Sequence, residues 1–161
     1  MIFGKVIDAV MKVVEVLCMI LLAATVVIIT CQVIWRYVLG APLAWTEELS
    51  RYLFIWIVML GIPIMFHRNI AISFDLFVSK LTGGKRDAVD IIFRLLGLFF
   101  CVVYFIFSMS LVMKTGSRRT SGMEIPLNWL YSAQPTCAVL TGLIMIRQII
   151  DKLRKGGGEK C

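Results

Sequence analysis

Four long apolar runs divide the chain, and each lies between charged or helix-breaking residues. The first, Val16 to Trp35, contains no charge for 20 residues and lies between Glu15 and Arg36. At about 1.5 Å per residue, such a helix covers about 30 Å, the thickness of the hydrocarbon core of a bilayer. The pattern therefore predicts a membrane-spanning helix, which we expect to end near Gly40 and Pro42 because both break helices.

Three further runs predict three further spans. We place the four spans at about 13–38, 44–66, 88–113 and 126–150, in a single domain of residues 1–155 followed by a flexible tail of residues 156–161. The fourth run includes Asn128, Gln134 and Pro135. We expect that span to face protein, because an unpaired amide in lipid is costly. The predicted fold class is an all-α integral membrane protein with four transmembrane helices.

The segment between the second and third runs has a different pattern. Apolar positions such as Ile70, Phe74 and Phe77 alternate with polar ones, among them Asn69 and Asp75. About a dozen residues are too few to cross a bilayer as a helix. An amphipathic helix along the interface, at about residues 69–82, is the favoured interpretation, and an ordered loop is the alternative.

Composition supports a membrane protein and excludes several functions. The chain is 60% hydrophobic and 17% charged, against about 25% charged in an ordinary soluble domain. The 161 residues leave no room for a soluble catalytic domain beside four spans, so we predict no enzyme activity. Four cysteines lie inside apolar runs without a CxxC pair, and the single His67 cannot supply two haem ligands. We therefore predict no metal and no cofactor on this chain.

The basic residues predict the orientation. With four spans, twelve of the 17 lysines and arginines fall on the side of the termini and five on the other side. Cytoplasmic segments of membrane proteins carry the excess of basic residues, so both termini are predicted to be cytoplasmic. The net charge of +7 is then a topology signal, and the expected partner is lipid, with no nucleic acid.

The turn after the first span, "RYVLGAPLAWTEELSR", concentrates charge on the opposite side. Glu47 and Glu48 precede Arg51 by four and three residues, which is the spacing of helical ion pairs. The helix dipole favours the glutamates at the start of the second helix and Arg36 at the end of the first. Trp45 belongs to an aromatic belt at the interface. The corner is either a turn whose charges are all balanced within the turn itself, or a recognition surface for a soluble partner. The two interpretations are compatible.

The middle of the predicted membrane carries no ionisable residue. A stand-alone ion-coupled carrier usually needs such a site near the midplane. The first and third runs have none, and the second has charges only at one end. The pattern therefore favours a partner subunit of a larger complex. An independent small carrier and a membrane anchor for another complex are the alternatives.

Two segments resemble a known family. "WRYVLGAPLAWTEELSRYLFIWIVMLG", residues 35–61, and "HRNIAISFDLF", residues 67–77, are similar to the small membrane subunit, DctQ-like, of tripartite ATP-independent periplasmic (TRAP) transporters. The resemblance implies a non-catalytic subunit of a sodium-coupled bacterial importer of organic acids, such as sialic acid or C4-dicarboxylates. It also implies an inner-membrane location, a large membrane subunit that carries substrate and sodium, and a soluble periplasmic binding protein.

The resemblance also implies which residues form the outer corner. It implies a structured outer corner, which could help to dock the binding protein, made of Arg36, Trp45, Glu47, Glu48 and Arg51. A second candidate docking loop on the same side contains Arg118, Arg119 and Glu124. Asn69 and Asp75 are assigned to an inner-face segment. The transported substrate is not predicted, because specificity would lie on other chains.

Overall fold

The fold is helical throughout the part of the chain that the structure describes. A computed structural model describes residues 2–40, 44–68, 84–116, 118–120 and 123–156. These residues form α1 (Ile2–Leu39), α2 (Ala44–His67), α3 (Gly84–Thr115), α4 (Leu127–Tyr131) and α5 (Ala133–Gly156). Four segments are long and apolar enough to cross a membrane: Gly4–Val38, Trp45–His67, Ile91–Thr115 and Leu127–Lys152. The predicted all-α fold with four membrane helices is confirmed.

Helix α1 is longer than its predicted span. It ends at Leu39, next to Gly40, whose φ of 68° is the left-handed conformation that commonly closes a helix. It begins at Ile2, well before residue 13, and its 38 residues extend over about 57 Å. The first turns stay helical because Ile7, Met11 and Val14, spaced by four and three residues, form one buried face.

The fourth span consists of two helices in close succession. Ser132 joins α4 to α5 in a right-handed helical conformation, and its N–H donates to the Asn128 carbonyl at 2.9 Å. The N–H of Thr136 then donates to the Ser132 carbonyl at 3.3 Å. Pro135 is buried in the first turn of α5, where its missing N–H breaks no helical hydrogen bond.

The helices pack in the order α1, α2, α5, α3. The closest packing joins α1 to α2, α2 to α5 and α5 to α3. Helix α5 therefore lies between two neighbours, and it is the most buried of the four spans. Its buried face contains Ala133, Cys137, Ala138, Thr141, Ile144 and Met145. The expectation that the polar fourth span faces protein is confirmed.

The molecule has two ends, at which different parts of the chain meet. We call the end where α1 begins and α5 finishes the terminal end, and the end where α1 leads into α2 the hairpin end. At the terminal end, Ile7 and Met11 of α1 form a small core with Ile144 of α5, which Ile64 and Phe66 of α2 extend. The predicted surface helix at 69–82, with Asn69 and Asp75, lies outside the described residues, as does the tail beyond residue 156.

Candidate interaction sites at the two ends

The predicted outer corner lies at the hairpin end and is largely exposed. Arg36 is exposed in the last turn of α1, and Trp45 is 45% exposed at the start of α2. Glu47 is in the first turn of α2, where the helix dipole favours an anion. Arg51 Nη2 lies 3.5 Å from Glu47 Oε1, so the predicted ion pair between these two side chains is present.

The second predicted docking loop is a compact turn beside this corner. Arg119 and Pro126 form an isolated antiparallel bridge, and the N–H of Leu127 donates to the Arg118 carbonyl at 3.0 Å. Glu124 has a φ of 54°, an uncommon conformation for a residue other than glycine. Its carboxylate lies 3.8 Å from Arg119 Nη1. The loop is therefore held by its own backbone.

One hydrogen bond brings the two predicted segments together. The N–H of Met123 donates to Glu48 Oε2 at 3.0 Å, across 75 residues of sequence. A carboxylate that accepts from a backbone N–H makes a stronger bond than a neutral acceptor does. The corner and the loop consequently form one surface, which we call the outer surface and define as Arg36, Trp45, Glu47, Glu48, Arg51, Arg118, Arg119 and Glu124.

The charged side chains of the outer surface are largely exposed to solvent. The side chains of Glu47 and Arg51 are 70% and 69% exposed, and those of Glu124 and Arg119 are 82% and 70% exposed. Exposed pairs of this kind contribute about 0–1 kcal/mol to stability. These pairs contribute little to the stability of the fold, so the four side chains can reorient toward another molecule at little cost in free energy.

The terminal end holds a second group of charges that the sequence did not reveal. Arg147 of α5 donates to both carboxylate oxygens of Asp8 in α1, with distances of 2.5 and 3.1 Å. His67 Nε2, at the end of α2, lies 3.5 Å from the same carboxylate. Gly4 lies beside this contact, since a Cβ there would be at van der Waals distance, 3.4 Å, from Arg147 Nη2. Three helices therefore converge on Asp8.

Three further contacts extend this group. Arg68, just after α2, donates from Nε and Nη2 to the two carboxylate oxygens of Glu15, both at 2.9 Å. That bidentate bond to a carboxylate raises the pKa of the Arg68 guanidinium. Arg94 of α3 donates to Gln148 of α5, whose amide donates to the Phe66 carbonyl at 2.8 Å. Together these contacts link all four spans.

We call these residues the terminal-end cluster: Asp8, Glu15, His67, Arg68, Arg94, Arg147 and Gln148. The charge pattern marked all three of its arginines as topology signals, and neither Arg68 nor Arg147 was predicted to have a partner. The partners are 53 to 139 residues apart, so spacing along a helix could not pair them. The one available signal was Asp8 and Glu15, which lie seven residues apart and so share a face of a helix.

Several polar groups between the two ends bond within their own helices, whereas Tyr52 Oη and Asn128 Oδ1 are buried without a hydrogen-bond partner within the described ranges. The Thr25 hydroxyl donates to the Leu21 carbonyl at 2.8 Å, and the Ser108 hydroxyl donates to the Tyr104 carbonyl at 2.6 Å. Thr141 pairs with Cys137 on α5. Among the described residues, no group of three or more histidine, cysteine, aspartate or glutamate side chains could hold a metal ion. The middle of the spans thus offers apolar surface for packing.

These features define a multi-pass membrane protein whose charged groups lie at its two ends. The sequence profile of "Tripartite ATP-independent periplasmic transporters, DctQ component" matches residues 25–155. Because that match covers most of the chain, the protein belongs to the DctQ family, as the two sequence motifs indicated. It is a small permease subunit of a tripartite transporter and not an enzyme.

Individual relatives agree with this assignment. The chain is 27% identical over 142 residues to a Haemophilus influenzae protein named provisionally as a TRAP transporter small permease protein, covering 88% of both chains. It is 32% identical over 72 residues to SiaQ, the sialic acid TRAP transporter small permease protein of Vibrio cholerae, covering 45% of this chain and 42% of SiaQ. It is 27% identical over 121 residues to SiaT, the sialic acid TRAP transporter permease protein of H. influenzae, covering 70% of this chain and 18% of SiaT.

Proposed function

We propose that this chain is the non-transporting subunit of a sodium-coupled importer of organic acids such as sialic acid or C4-dicarboxylates. It lies in the bacterial inner membrane with both termini in the cytoplasm, beside a large membrane subunit that carries substrate and sodium. The observation that carries this proposal is the match to the DctQ family over residues 25–155. The distribution of charge supports it, because α1 has no charged residue between Glu15 and Arg36 and α3 has none between Arg94 and Lys114.

A large membrane partner is supported by the relative SiaT. The segment that resembles this chain makes up 18% of SiaT, so there it is part of a much longer permease polypeptide. Segments joined in one polypeptide in a relative commonly associate as separate chains elsewhere. The exposed apolar residues of α1 and α3 supply surface for such an association, for example Met19, Ile20, Phe99 and Phe107.

A reconstitution experiment tests the role of the chain. Liposomes with this chain alone are compared with liposomes that also contain a large TRAP membrane subunit and its binding protein. We expect sodium-gradient-driven uptake of labelled organic acid only in the complete system, and loss of that uptake when this chain is omitted. Uptake by this chain alone would make it an independent carrier and would overturn the proposal.

The orientation needs its own measurement. In a cysteine-free variant, Arg119→Cys and Asp151→Cys place single thiols at exposed positions of the hairpin and terminal ends. We expect a membrane-impermeant maleimide to label the residue-119 thiol in cells whose outer membrane has been opened, and the residue-151 thiol only after the inner membrane is lysed. The reverse order of labelling would contradict cytoplasmic termini.

We also propose that the outer surface helps to dock the periplasmic binding protein. Its exposed charges can set the register of a soluble partner, as rim charges do in other interfaces. The double variant Glu47→Lys, Glu48→Lys should weaken uptake that depends on the binding protein or destabilise the complex. Assembly and uptake both unchanged would exclude the outer surface as a docking site and as a support.

A further inference from the structure

A deep apolar groove runs along α5 between α2 and α3. Its volume is about 570 Å³, within the range of ordinary ligand sites. Phe66, Phe93 and Met145 line it toward the terminal end, and Met59, Tyr104 and Cys137 line it farther into the span. Because α2 and α3 both pack on α5 and not closely on each other, the groove opens between them.

Arg94 lies at the terminal-end mouth of this groove. It follows the lining residue Phe93 in sequence and is not itself a lining residue. Its guanidinium donates to Gln148, which comes three residues after the lining residue Met145. Gln148 in turn donates to the carbonyl of Phe66 on the opposite wall. No charged residue follows Arg94 on α3 until Lys114, so Arg94 marks the level where the groove leaves the hydrocarbon.

We propose that this groove binds one anionic phospholipid, with its phosphate at Arg94 and an acyl chain along α5. A guanidinium presents several N–H donors to a phosphate in a fixed geometry, and basic pockets between membrane helices are known binding sites for anionic headgroups. An acyl chain matches the apolar lining, and a membrane anchors its phosphate near the depth of Arg94. The proposal goes beyond the subunit role and requires only that the helices span a bilayer.

The width of the groove favours a lipid over a helix of another protein. The Tyr104 hydroxyl of α3 lies 4.0 Å from the sulfur of Met59 in α2, so one side-chain contact bridges the two walls within the lining. A helix with its side chains is about 10–12 Å across and cannot lie between the walls at the level of that contact. At the floor, a Cβ on Gly97 would lie 2.8 Å from Met145 Cε, so α3 and α5 leave no gap there. A flexible acyl chain can follow such a space.

Native mass spectrometry of the full-length chain in detergent tests the headgroup contact. The delipidated protein is incubated with phosphatidylglycerol or phosphatidylcholine of identical acyl chains. We expect preferential retention of phosphatidylglycerol and a loss of about tenfold in its affinity in Arg94→Gln, as expected for one charge-assisted contact. Arg36→Gln, the matched change at the hairpin end, should keep the wild-type preference. Asp90 lies four residues before Arg94, so replacing Arg94 also leaves a negative charge nearby. The measured loss of affinity therefore combines the lost contact with the effect of that charge.

A second pair of variants tests the acyl chain. Leu96 lines the groove and is 61% exposed, whereas its neighbour Leu95 is 52% exposed and lies outside that lining. Leu96→Trp should fill part of the groove and weaken both lipids, and Leu95→Trp should weaken neither. If Leu96→Trp does not fold, Phe100→Ala, which removes an exposed wall of the groove, should weaken long-chain lipids more than short-chain ones.

Four results would count against the proposal. The first is equal retention of both lipids by the wild-type chain, and the second is unchanged retention in Arg94→Gln and the groove variants alike. The third is full thermal stabilisation by inorganic phosphate alone, which would make Arg94 an ion site without a role for the groove. Displacement of phosphatidylglycerol on adding a large membrane subunit would also count against it, because a protein would then cover the groove.

Discussion

The terminal end and the hairpin end both carry charged residues, but they use them differently. At the terminal end, Arg147 bonds Asp8 and Arg68 bonds Glu15, each with two hydrogen bonds between different elements. At the hairpin end, the Glu47–Arg51 pair lies within one helix and is exposed. Contacts between helices fix how the helices pack, whereas contacts within a helix do not. The ion pairs at the terminal end therefore stabilise the packing of the helices, whereas the charges of the Glu47–Arg51 pair at the hairpin end are exposed to solvent.

The lengths of the helices strengthen this contrast. Helix α1 is about 57 Å long, nearly twice the hydrocarbon thickness, and its extra turns lie at the terminal end. Ile7 and Met11 of those turns are 7% and 1% exposed. The N-terminal segment before the predicted first span is thus part of the packed core. It gives a small chain more internal contact than its membrane spans alone could supply.

Removal of Arg147 should have the largest effect. Arg147→Met leaves the Asp8 carboxylate without its two guanidinium bonds, and bonds to charged groups contribute about 1.5–3 kcal/mol before solvent screening reduces them. We expect the Tm in detergent to fall by several degrees. Asp151→Asn is the control, because it removes only the exposed 3.7 Å pair within α5 and should leave Tm nearly unchanged. Equal losses in the two variants would contradict the assigned role of Asp8.

A charge exchange between Glu15 and Arg68 should have the next largest effect. Glu15→Arg and Arg68→Glu each place like charges together, so each should lower Tm. The double variant restores an opposite pair and should recover part of the loss, which a thermodynamic cycle measures. Additive losses in the double variant would show that these side chains do not interact in solution. Because Arg68 is more than half exposed, both effects should be smaller at high salt.

The third prediction separates Glu48 from its neighbour Glu47. Glu48→Ala removes the acceptor of the Met123 N–H, so the loop before α4 should lose protection against hydrogen exchange. Glu47→Ala removes only an exposed pair and should leave that protection unchanged. Unequal functional effects of the two variants would then distinguish a supporting residue from a docking residue. Equal protection in both variants would show that the hydrogen bond from Met123 to Glu48 does not stabilise the loop.

Local sequence patterns predicted the parts of the molecule that local physics determines. The uncharged run from Val16 to Trp35 predicted α1 within the membrane, and the four-residue spacing of Glu47 and Arg51 predicted their pair. The terminal-end cluster depends on which helices are neighbours, and a single sequence does not contain that information. Asp8 and Arg147 are 139 residues apart, and their meeting follows from the packing of α1 and α2 against α5.

The smallest effect is expected at Arg119 and Glu124. Their 3.8 Å pair is the most exposed ion pair described, with side chains 70% and 82% accessible, so Arg119→Gln should change the free energy of unfolding by less than about 0.5 kcal/mol. If this side of the molecule docks a binding protein, the same variant should slow association and reduce its dependence on salt, because a rim charge acts on the rate of encounter. Stopped-flow association with the reconstituted complex at two ionic strengths measures both quantities. A loss of stability without a change in association rate would reverse the contrast between the two ends, since the hairpin end would then support the fold.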